Sequence, residues 1–254
     1  MSAGTALVTG AGARIGRAIA LGLSEAGWSV GVHHHRSGAE ARTLVETIIG
    51  AGGRAVAVAA DLRSESETRA LIPALGEALG PVTCLINNAA VFEHDSAATV
   101  TGASWDAHMA VNLRAPLMLT QALAAQLPLA AEGNVVNLID QRVWNLTPHF
   151  VSYTASKAGL WTLTQTLALA LAPRIRVNGI GPGPTLASAR QSPEQFADQF
   201  AATPLGRGTT PAEIGAAVRF VLESPALTGQ MIALDGGQHL GWSHPRDRRA
   251  RVEE

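Results

Sequence analysis

Short apolar runs alternate with longer helical patterns along almost the whole chain, and this alternation constrains the fold more than any other feature. Strands separated by helices form βαβ units, whose parallel sheet is covered by helices on both faces. The pattern therefore predicts a single α/β domain with a doubly wound sheet. Seven strands are predicted, at Thr5–Thr9, Trp28–His33, Arg54–Ala59, Val82–Asn87, Asn134–Ile139, Arg176–Gly179 and Met231–Leu234. Helices are predicted near residues 14–26, 38–50, 64–79, 101–127, 152–172 and 212–223.

Two segments interrupt the alternation. Residues 181–211 are rich in Gly, Pro and Thr and contain a short amphipathic stretch around Pro193–Ala202. A long excursion inside a compact domain is typical of a lid or a mobile loop, so we expect a lid over residues 184–211. Residues 244–254 are charged and nearly free of apolar side chains, which predicts a flexible tail after a domain of residues 1–243.

The composition argues against several classes of function. The 254 residues carry a formal net charge of −1, whereas a protein that binds nucleic acid or an anionic membrane needs a dense basic face. The longest uncharged apolar stretch, Ala158–Pro173, is shorter than the roughly 20 residues that span a bilayer, and no secretory signal is recognised. Cys84, the single cysteine, is expected to be a buried thiol in a reducing compartment. We expect a cytoplasmic protein that binds a small molecule.

A glycine-rich turn follows the first predicted strand. Residues 9–16 read Thr-Gly-Ala-Gly-Ala-Arg-Ile-Gly and lead into the first predicted helix. Such a turn lets the backbone approach a pyrophosphate, which then lies at the positive N-terminus of the helix. The usual spacing of the motif would place its third glycine at position 15, where this chain has Ile15. Taken alone, the motif therefore leaves open an ordinary tight turn between a strand and a helix.

The end of the second predicted strand indicates which dinucleotide such a turn would bind. Folds that prefer NAD have an Asp or Glu there, which binds the ribose 2′-hydroxyl group. This chain reads His-His-His-Arg-Ser at residues 33–37, and an arginine beside a hydroxyl group suits a 2′-phosphate, so the pattern favours NADP(H). A metal site is the alternative. Adjacent strand residues point to opposite faces, however, so only His33 and His35 could converge, and we expect no metal.

Tyr153 and Lys157 are the only tyrosine and the only lysine of the chain, and they lie four residues apart. On a helix this spacing places both side chains on one face. A lysine ammonium beside a phenol stabilises the phenolate, which would lower the pKa of Tyr153 from its ordinary value of about 10. A phenol of this kind can donate a proton to a substrate that accepts a hydride. The alternative is an ordinary surface pair on a helix.

Together these residues resemble the short-chain dehydrogenase/reductase family over residues 4–242. The resemblance rests also on Asn-Asn-Ala-Ala at residues 87–90, on Val-Asn-Leu at 111–113, on residues 176–185 and on Leu-Asp-Gly-Gly at 234–237. It implies a Rossmann-type fold that binds a dinucleotide. The cofactor-binding residues that it implies are Gly10, Arg14, Ile15, Gly16, His35, Arg36, Ser37, Asp61, Leu62, Asn88, Ala89, Lys157, Pro182, Gly183 and Thr185.

Two departures from the common family pattern resemble its pteridine reductase branch, which includes dihydromonapterin reductase. Asp140 stands where the family usually has a catalytic serine, thirteen residues before Tyr153, and Arg14 stands where it usually has a glycine. The similarity implies a catalytic set of Asp140, Tyr153 and Lys157, with Asn112 anchoring a water that leads to Lys157. Asp140 would then share in protonating a ring nitrogen, because a carboxyl group can carry a proton. The alternative is that Asp140 only orients Tyr153 or pairs with Lys157.

The same similarity implies a substrate site. Phe92 occupies the position of the aromatic residue that stacks on a pterin ring, with Arg14 near both pyrophosphate and substrate. Ala90 replaces a small polar residue of the pteridine reductases, which removes one hydrogen bond to the pterin. A reductase of 3-oxoacyl thioesters or other ketones is therefore one alternative, and a non-catalytic NADP(H)-binding sensor is another. Four further aromatic residues could line the pocket beside the lid: Trp144, Phe150, Phe196 and Phe200. They are left outside the predicted site, and simple packing explains the spacing of Phe196 and Phe200 equally well.

The predicted helix at 152–172 is apolar on most of its faces after Leu160. A helix that packs on a sheet from one side should carry a polar stripe on its outer side. Burial against a second subunit would explain the pattern, and relatives in the family are commonly tetramers. We therefore expect a homotetramer.

Overall fold

The computed structural model of the protein describes residues 4–188 and 190–241. Its strands are β1 (Thr5–Val8), β2 (Ser29–His34), β3 (Ala55–Ala59), β4 (Val82–Asn87), β5 (Gly133–Leu138), β6 (Ile175–Pro182) and β7 (Met231–Leu234). They form one seven-stranded sheet in the order β3-β2-β1-β4-β5-β6-β7, and all neighbouring strands pair in parallel. The predicted α/β fold with seven parallel strands is therefore confirmed.

Helices lie on both faces of the sheet. They are α1 (Arg14–Glu25), α2 (Gly38–Gly50), α3 (Glu65–Leu79), α4 (Gly102–Met109), α5 (Ala115–Gln126), α6 (Val151–Leu171), α7 (Pro193–Ala201) and α8 (Pro211–Glu223). Successive residues of β1 point to opposite faces: Ala6 and Val8 pack in a core with α1, α2 and α8, whereas Leu7 packs in a second core with α3 and α5. The sheet is thus buried on both sides, which explains the apolar runs of the sequence.

The helix predicted over residues 101–127 is divided in the structure. After α4 ends at Met109, a π-helical turn occupies Ala110–Arg114, and the α-helix resumes at Ala115 with Pro116 in its first turn. Proline has no N–H group, so Pro116 leaves the carbonyl group of Asn112, four residues earlier, without its α-helical partner. Short π-helical turns of this kind occur frequently at functional sites.

The strand order reverses between β1 and β4, because β1 is flanked by β2 on one side and by β4 on the other. The connections that leave the carboxyl ends of these two strands diverge to opposite faces of the sheet. Open α/β sheets bind their ligands in the crevice that this divergence creates. β6 continues three residues past the predicted strand, to Pro182, and its carboxyl end lies beside this crevice.

Cys84 is buried in β4, as expected, and burial raises the pKa of its thiol to about 12. The thiol is therefore protonated and unreactive at neutral pH. Within residues 4–188 and 190–241, no helix is long and apolar enough to cross a membrane. The predicted tail, residues 244–254, lies outside the described residues.

Candidate active site

The glycine-rich turn lies between the carboxyl ends of β1 and β4. Gly10 has a φ of 63°, in the left-handed region that favours glycine. A Cβ atom on Gly16 would collide with the carbonyl oxygen of Gly10 and with the Nδ2 atom of Asn88. These glycines let the turn close tightly over the N-terminus of α1, where backbone N–H groups without helical partners can bind an anion.

His33, near the end of β2, holds this turn in place. The N–H group of Gly10 donates to Nδ1 of His33 at 3.0 Å, and Nε2 donates to the carbonyl oxygen of Ala60 at 3.1 Å. Because Nδ1 accepts, the proton resides on Nε2 and the ring is neutral. Burial lowers the pKa of His33 to about 4, which is consistent with this neutral form. Sequence reasoning considered His33 only as a metal ligand and missed this supporting role.

Asn88 and Ala89 join the end of β4 to the same turn. Nδ2 of Asn88 donates to the carbonyl oxygens of Thr9 at 2.8 Å and Gly10 at 3.2 Å. The backbone N–H groups of Asn88 and Ala89 both donate to the hydroxyl oxygen of Thr9, at 2.9 and 3.0 Å. The two predicted cofactor residues therefore contribute to the site by fixing the shape of the glycine-rich turn.

Asp61 and Leu62 follow β3. The guanidinium group of Arg63 donates from Nη2 to Oδ2 of Asp61 at 2.8 Å and from Nε to both carboxylate oxygens at 3.1 Å. These hydrogen bonds lower the pKa of Asp61 to about 2. His35 lies nearby, with Nε2 at 3.8 Å from Oδ2 of Asp61, and Leu62 is buried in the core. The negative charge at the end of β3 is therefore largely balanced by Arg63.

Arg36 and Ser37 lie directly after β2. A Cβ atom on Gly12 would lie 2.7 Å from the hydroxyl oxygen of Ser37, so Ser37 packs against the glycine-rich turn. Arg36 is exposed, and its guanidinium group makes no hydrogen bond to any other described residue. This segment thus presents a free cation and a hydroxyl group beside the turn, a combination that suits a phosphate.

Asp140, Tyr153 and Lys157, predicted from the sequence as a catalytic set, come together at the carboxyl end of β5 and the start of α6. The hydroxyl group of Tyr153 donates to Oδ2 of Asp140 at 2.9 Å. Nζ of Lys157 donates to the carbonyl oxygen of Leu138 at 2.7 Å and lies 5.7 Å from the centre of the Tyr153 ring. Both side chains are buried, with 6% of Tyr153 and 3% of Lys157 exposed.

The electrostatics of this set differ from the sequence prediction. Burial raises the pKa of Tyr153 well above its ordinary value, and the charge of Asp140 and its hydrogen bond raise it further. Burial lowers the pKa of Lys157 to about 8. The prediction that Lys157 lowers the pKa of Tyr153 is wrong for this structure, because the phenol contacts a carboxylate while the ammonium donates to Leu138. Tyr153 consequently keeps its proton at neutral pH, as a proton donor must.

Asn112 is fully buried in the π-helical turn. Its Oδ1 accepts from the N–H group of Val91 at 2.8 Å, and its Nδ2 donates to the carbonyl oxygen of Val91 at 2.9 Å and to the hydroxyl oxygen of Ser156 at 3.0 Å. The side chain therefore joins the loop after β4 to α6. The predicted role of Asn112 in anchoring a water stays a prediction.

A cleft of about 260 Å³ opens beside Asp140 and Tyr153. It brings together residues from the glycine-rich turn, the loop after β4, and the segment after β6. The predicted cofactor and substrate residues that line it are Arg14, Ile15, Asn88, Phe92, Lys157, Pro182, Gly183 and Thr185. The remaining predicted cofactor residues do not line this cleft. They lie in the turn (Gly10 and Gly16), after β4 (Ala89), or beyond the turn toward β3 (His35, Arg36, Ser37, Asp61 and Leu62).

Aromatic rings form one wall of the cleft. The rings of Phe92 and Phe150 are stacked, with centroids 4.5 Å apart and planes 7° apart, and Phe92 meets Tyr153 at 70° with centroids 4.6 Å apart. A ligand ring can therefore stack only on the face of Phe92 that Phe150 leaves open. Phe150 and Phe196, two of the aromatic residues left outside the predicted site, also line the cleft. Phe150 has a φ of 58°, which is unusual for a bulky residue.

A buried polar network fixes the backbone on either side of these rings. Oδ1 of Asp95 accepts from the N–H group of Ser152 at 3.2 Å, and Oδ2 accepts from the hydroxyl groups of Ser152 and Ser104. Nδ1 of His108 lies 2.8 Å from the hydroxyl oxygen of Ser152, while Nε2 accepts from the N–H group of Glu93 at 3.2 Å. The network holds the residues next to Phe92 and Tyr153. No sequence motif indicated it, since its members come from distant segments.

Arg14 connects the glycine-rich turn to the segment predicted as a lid. Its guanidinium group donates to the carbonyl oxygens of Leu186 and Ala187, each at 3.1 Å. Its φ of 53° is the conformation that glycine adopts more readily. Thr185, in the same segment, donates from its hydroxyl group to the carbonyl oxygen of Gly183 at 2.9 Å. The predicted contacts of Arg14 with a pyrophosphate and a substrate stay predictions.

Comparison with known proteins relates this geometry to a family. The sequence profile of the short chain dehydrogenase family matches residues 4–197. An uncharacterized oxidoreductase of Methylorubrum extorquens is 35% identical over 240 residues, which cover 91% of this chain and 96% of that protein. The 3-oxoacyl-[acyl-carrier-protein] reductase of Synechocystis sp. is 32% identical over 243 residues, covering 93% and 97%.

The chain is also similar to solved structures. The crystal structure of FolM alternative dihydrofolate reductase 1 from Brucella suis, in complex with NADP, superposes with a TM-score of 0.92 and 48% identity, covering 95% of this chain and 97% of that one. A blue fluorescent protein from a metagenomic library, in complex with NADPH, superposes with a TM-score of 0.86 and 29% identity, covering 92% and 96%.

We expect the neutral ring of His33 to make the protein sensitive to acid. Its pKa is about 4 in the folded protein and 6.5 in an unfolded chain, so between these pH values the unfolded chain binds a proton that the folded protein does not. The free energy of unfolding should therefore fall as the pH falls, with His33 contributing a loss of about 3 kcal/mol at pH 4. Urea unfolding followed by circular dichroism at pH 7, 5.5 and 4.5 measures this loss.

His33→Gln is the informative variant, because its amide group can accept from Gly10 and donate to Ala60 but does not titrate. This variant should lack the contribution of His33 to the pH dependence. His94→Gln, at an exposed histidine, is the matched control and should keep the wild-type dependence. Identical pH profiles for the wild type and His33→Gln would contradict the neutral, hydrogen-bonded ring.

Proposed function

The chain belongs to the short-chain dehydrogenase/reductase family, and from this membership we propose that it is an NADPH-dependent reductase of a pterin-type C=N bond. The observation that carries the proposal is the protonated phenol of Tyr153, hydrogen-bonded to the carboxylate of Asp140 in a cleft walled by Phe92. Asp140 is the residue that distinguishes this site from the serine-containing sites usual in the family. The similarity to a FolM alternative dihydrofolate reductase supports the same substrate class.

The residues present fit NADP(H). Gly16 lets the glycine-rich turn pack closely on the N-terminus of α1, where a pyrophosphate can bind, because a Cβ atom there would collide with the carbonyl oxygen of Gly10. Arg36 and Ser37 offer a free cation and a hydroxyl group for the 2′-phosphate, with no acid at the end of β2 to repel it. When bound, NADPH supplies a hydride to an electrophilic carbon. The Brucella suis structure contains NADP, which is consistent with this assignment.

The side chains of the cleft then have distinct roles. Tyr153 holds its proton at neutral pH in a hydrogen bond to Asp140. When a substrate binds, the single O–H bond turns from Asp140 to the ring nitrogen and the proton passes to it. Lys157 uses one of its three N–H donors on Leu138, which leaves the others for hydroxyl groups of the nicotinamide ribose. Asn112 holds the loop that carries Phe92 against α6.

A ketone reductase is the second candidate, favoured by the 32% identity to a 3-oxoacyl-[acyl-carrier-protein] reductase. Steady-state assays with NADPH separate the two candidates. We expect turnover of 7,8-dihydropterins and little turnover of 3-oxoacyl thioesters. The reverse result would transfer the assignment to ketones.

Replacing Tyr153 by Phe tests the proposed proton donor. The variant Tyr153→Phe removes one hydroxyl group and should lower kcat about 10²- to 10⁴-fold, because proton transfer then lacks its donor. The Kd for NADPH, measured by quenching of protein fluorescence, should stay within about twofold, since the ring and its packing remain. If kcat falls less than about tenfold, another group donates the proton and this role of Tyr153 is wrong.

Arg36→Gln tests the specificity for the 2′-phosphate. Loss of a hydrogen bond to a charged group should raise the KM for NADPH about 10- to 100-fold and leave the KM for NADH within about twofold. Arg69→Gln is the matched control, because Arg69 is an exposed arginine of α3. A parallel rise of KM for both cofactors would mean that Arg36 does not read the 2′-phosphate.

The proposed enzyme assembles as a homotetramer. On α6, Leu169 is 84% exposed, and Phe220 of α8 is 58% exposed, so each helix presents a large apolar side chain outside the core of one chain. Contact with further copies would remove this surface from water. Size-exclusion chromatography with light scattering should give four times the 26.3 kDa mass of one chain, and a monomeric mass would contradict the assembly.

A further inference from the structure

The cleft contains a buried guanidinium group without an anionic partner. Arg142 lies in a short 3₁₀ turn, Gln141–Val143, directly after Asp140, and only 9% of it is exposed. Its Nη1 donates to the hydroxyl oxygen of Thr147, but its buried Nε has no hydrogen-bond partner. Among the described residues, no carboxylate forms an ion pair with Arg142. An unpaired charge at such a depth is unfavourable until an anion reaches it.

Asp140 does not supply this anion, although it is two residues away. One of its carboxylate oxygens accepts from the hydroxyl group of Tyr153, and the other accepts from the backbone N–H group of Arg142 at 2.8 Å. The backbone of Arg142 thus helps to orient Asp140, while its guanidinium group donates to Thr147 and the residue lines the cleft. The side chain and the backbone of Arg142 therefore serve different parts of the site.

The other cations of the cleft are already engaged. Arg14 donates to two carbonyl oxygens of the segment after β6, and Lys157 donates to Leu138. Arg190 pairs with Glu93, with Nη1 at 3.2 Å from Oε2. Within the described part of the chain, Arg142 is the cation of this cleft that has a buried nitrogen, Nε, without a hydrogen-bond partner.

Arg142 lies near the ring on which the substrate is proposed to stack. Its Cζ atom lies 5.1 Å from the centre of the Phe150 ring, which stacks on Phe92, the residue proposed to face the pterin. A guanidinium group is a planar donor that binds a carboxylate through two parallel hydrogen bonds. A carboxylate joined to the substrate ring would thus complete the hydrogen bonding of Arg142 and neutralise its charge.

We propose that Arg142 is a carboxylate subsite, so that the enzyme selects pterins carrying a carboxylate, as dihydrofolate does, over unconjugated dihydropterins. This inference rests on the proposed function and adds the substrate class to it. The subsite explains why a charged side chain is buried beside two phenylalanine rings, where an apolar residue would otherwise pack.

The selectivity between two substrates tests the subsite. For the wild type and Arg142→Gln, kcat/KM is measured with dihydrofolate, which carries carboxylates, and with 7,8-dihydrobiopterin, which carries none. The ratio of the two values should fall about 10- to 100-fold in Arg142→Gln, because a charged hydrogen-bonding partner is lost for one substrate only. Because both substrates depend on Tyr153, any effect of Arg142 on Tyr153 cancels in the ratio.

Arg190→Gln is the matched control. Arg190 lines the same cleft, but its charge is balanced by Glu93, which is exposed, so the ratio should change less than about twofold. Equal falls in both variants would show a general effect of positive charge and overturn the subsite. An unchanged ratio in Arg142→Gln would overturn it as well. Arg142→Lys, which keeps the charge but loses the planar fork, should give an intermediate ratio.

A binding measurement separates this inference from the proposed function. Calorimetry measures the binding of N-benzoylglutamate to the complex of enzyme and NADP⁺ and needs no turnover. The uncharged diamide of N-benzoylglutamate is the reference ligand. Suppose that the wild type binds N-benzoylglutamate, that Arg142→Gln does not, and that the wild type reduces neither pterin. This result would support the subsite and refute the pterin assignment. Turnover of both pterins without a preference for the carboxylate would refute the subsite alone. The Kd for NADPH and the Tm of each variant establish that it is folded.

Discussion

All strands of the sheet run in one direction, and the positions of the functional groups depend on this constraint. Because parallel strands end at the same edge, the segments that follow them meet there: Gly10 after β1, Asn88 after β4, Asp140 after β5 and Gly183 after β6. The reversal of strand order between β1 and β4 opens the crevice into which these segments project. A sheet with antiparallel neighbours would place half of them at the opposite edge, more than one strand length away.

Buried, hydrogen-bonded polar side chains hold the reacting groups of the site in place. His33 positions the glycine-rich turn, Asn112 joins the loop after β4 to α6, and Asp95 accepts three hydrogen bonds that fix the start of α6. Buried polar networks rigidify a structure when every member is satisfied. The phenol of Tyr153 is therefore oriented toward Asp140 before any substrate arrives, and the carboxylate raises the pKa that keeps the phenol protonated.

The features that the sequence predicted correctly depend on local spacing. Strands buried on both faces read as continuous apolar runs, so each of the predicted strands has its counterpart in the sheet. The pair of Tyr153 and Lys157 was recognisable because four residues make one helical turn. The acidity of Tyr153 was not predictable in the same way, since it depends on burial and on contact with Asp140 from another element. The π-helical turn at Asn112 was not predicted either.

Some functional residues can be recognised only from their surroundings in the folded protein. Arg142 is one of eighteen arginines, and its neighbours in the sequence do not distinguish it from a surface residue. Only its burial and its lack of a carboxylate partner mark it as a binding group. The chain uses its single lysine, Lys157, where a compact ammonium group fits beneath Tyr153 and donates to Leu138. Where a planar fork can bind an oxyanion, as at Arg36 and Arg142, it uses arginine. At these three positions the cation suits the shape of the group that it contacts or is proposed to bind, a distinction that net charge alone conceals.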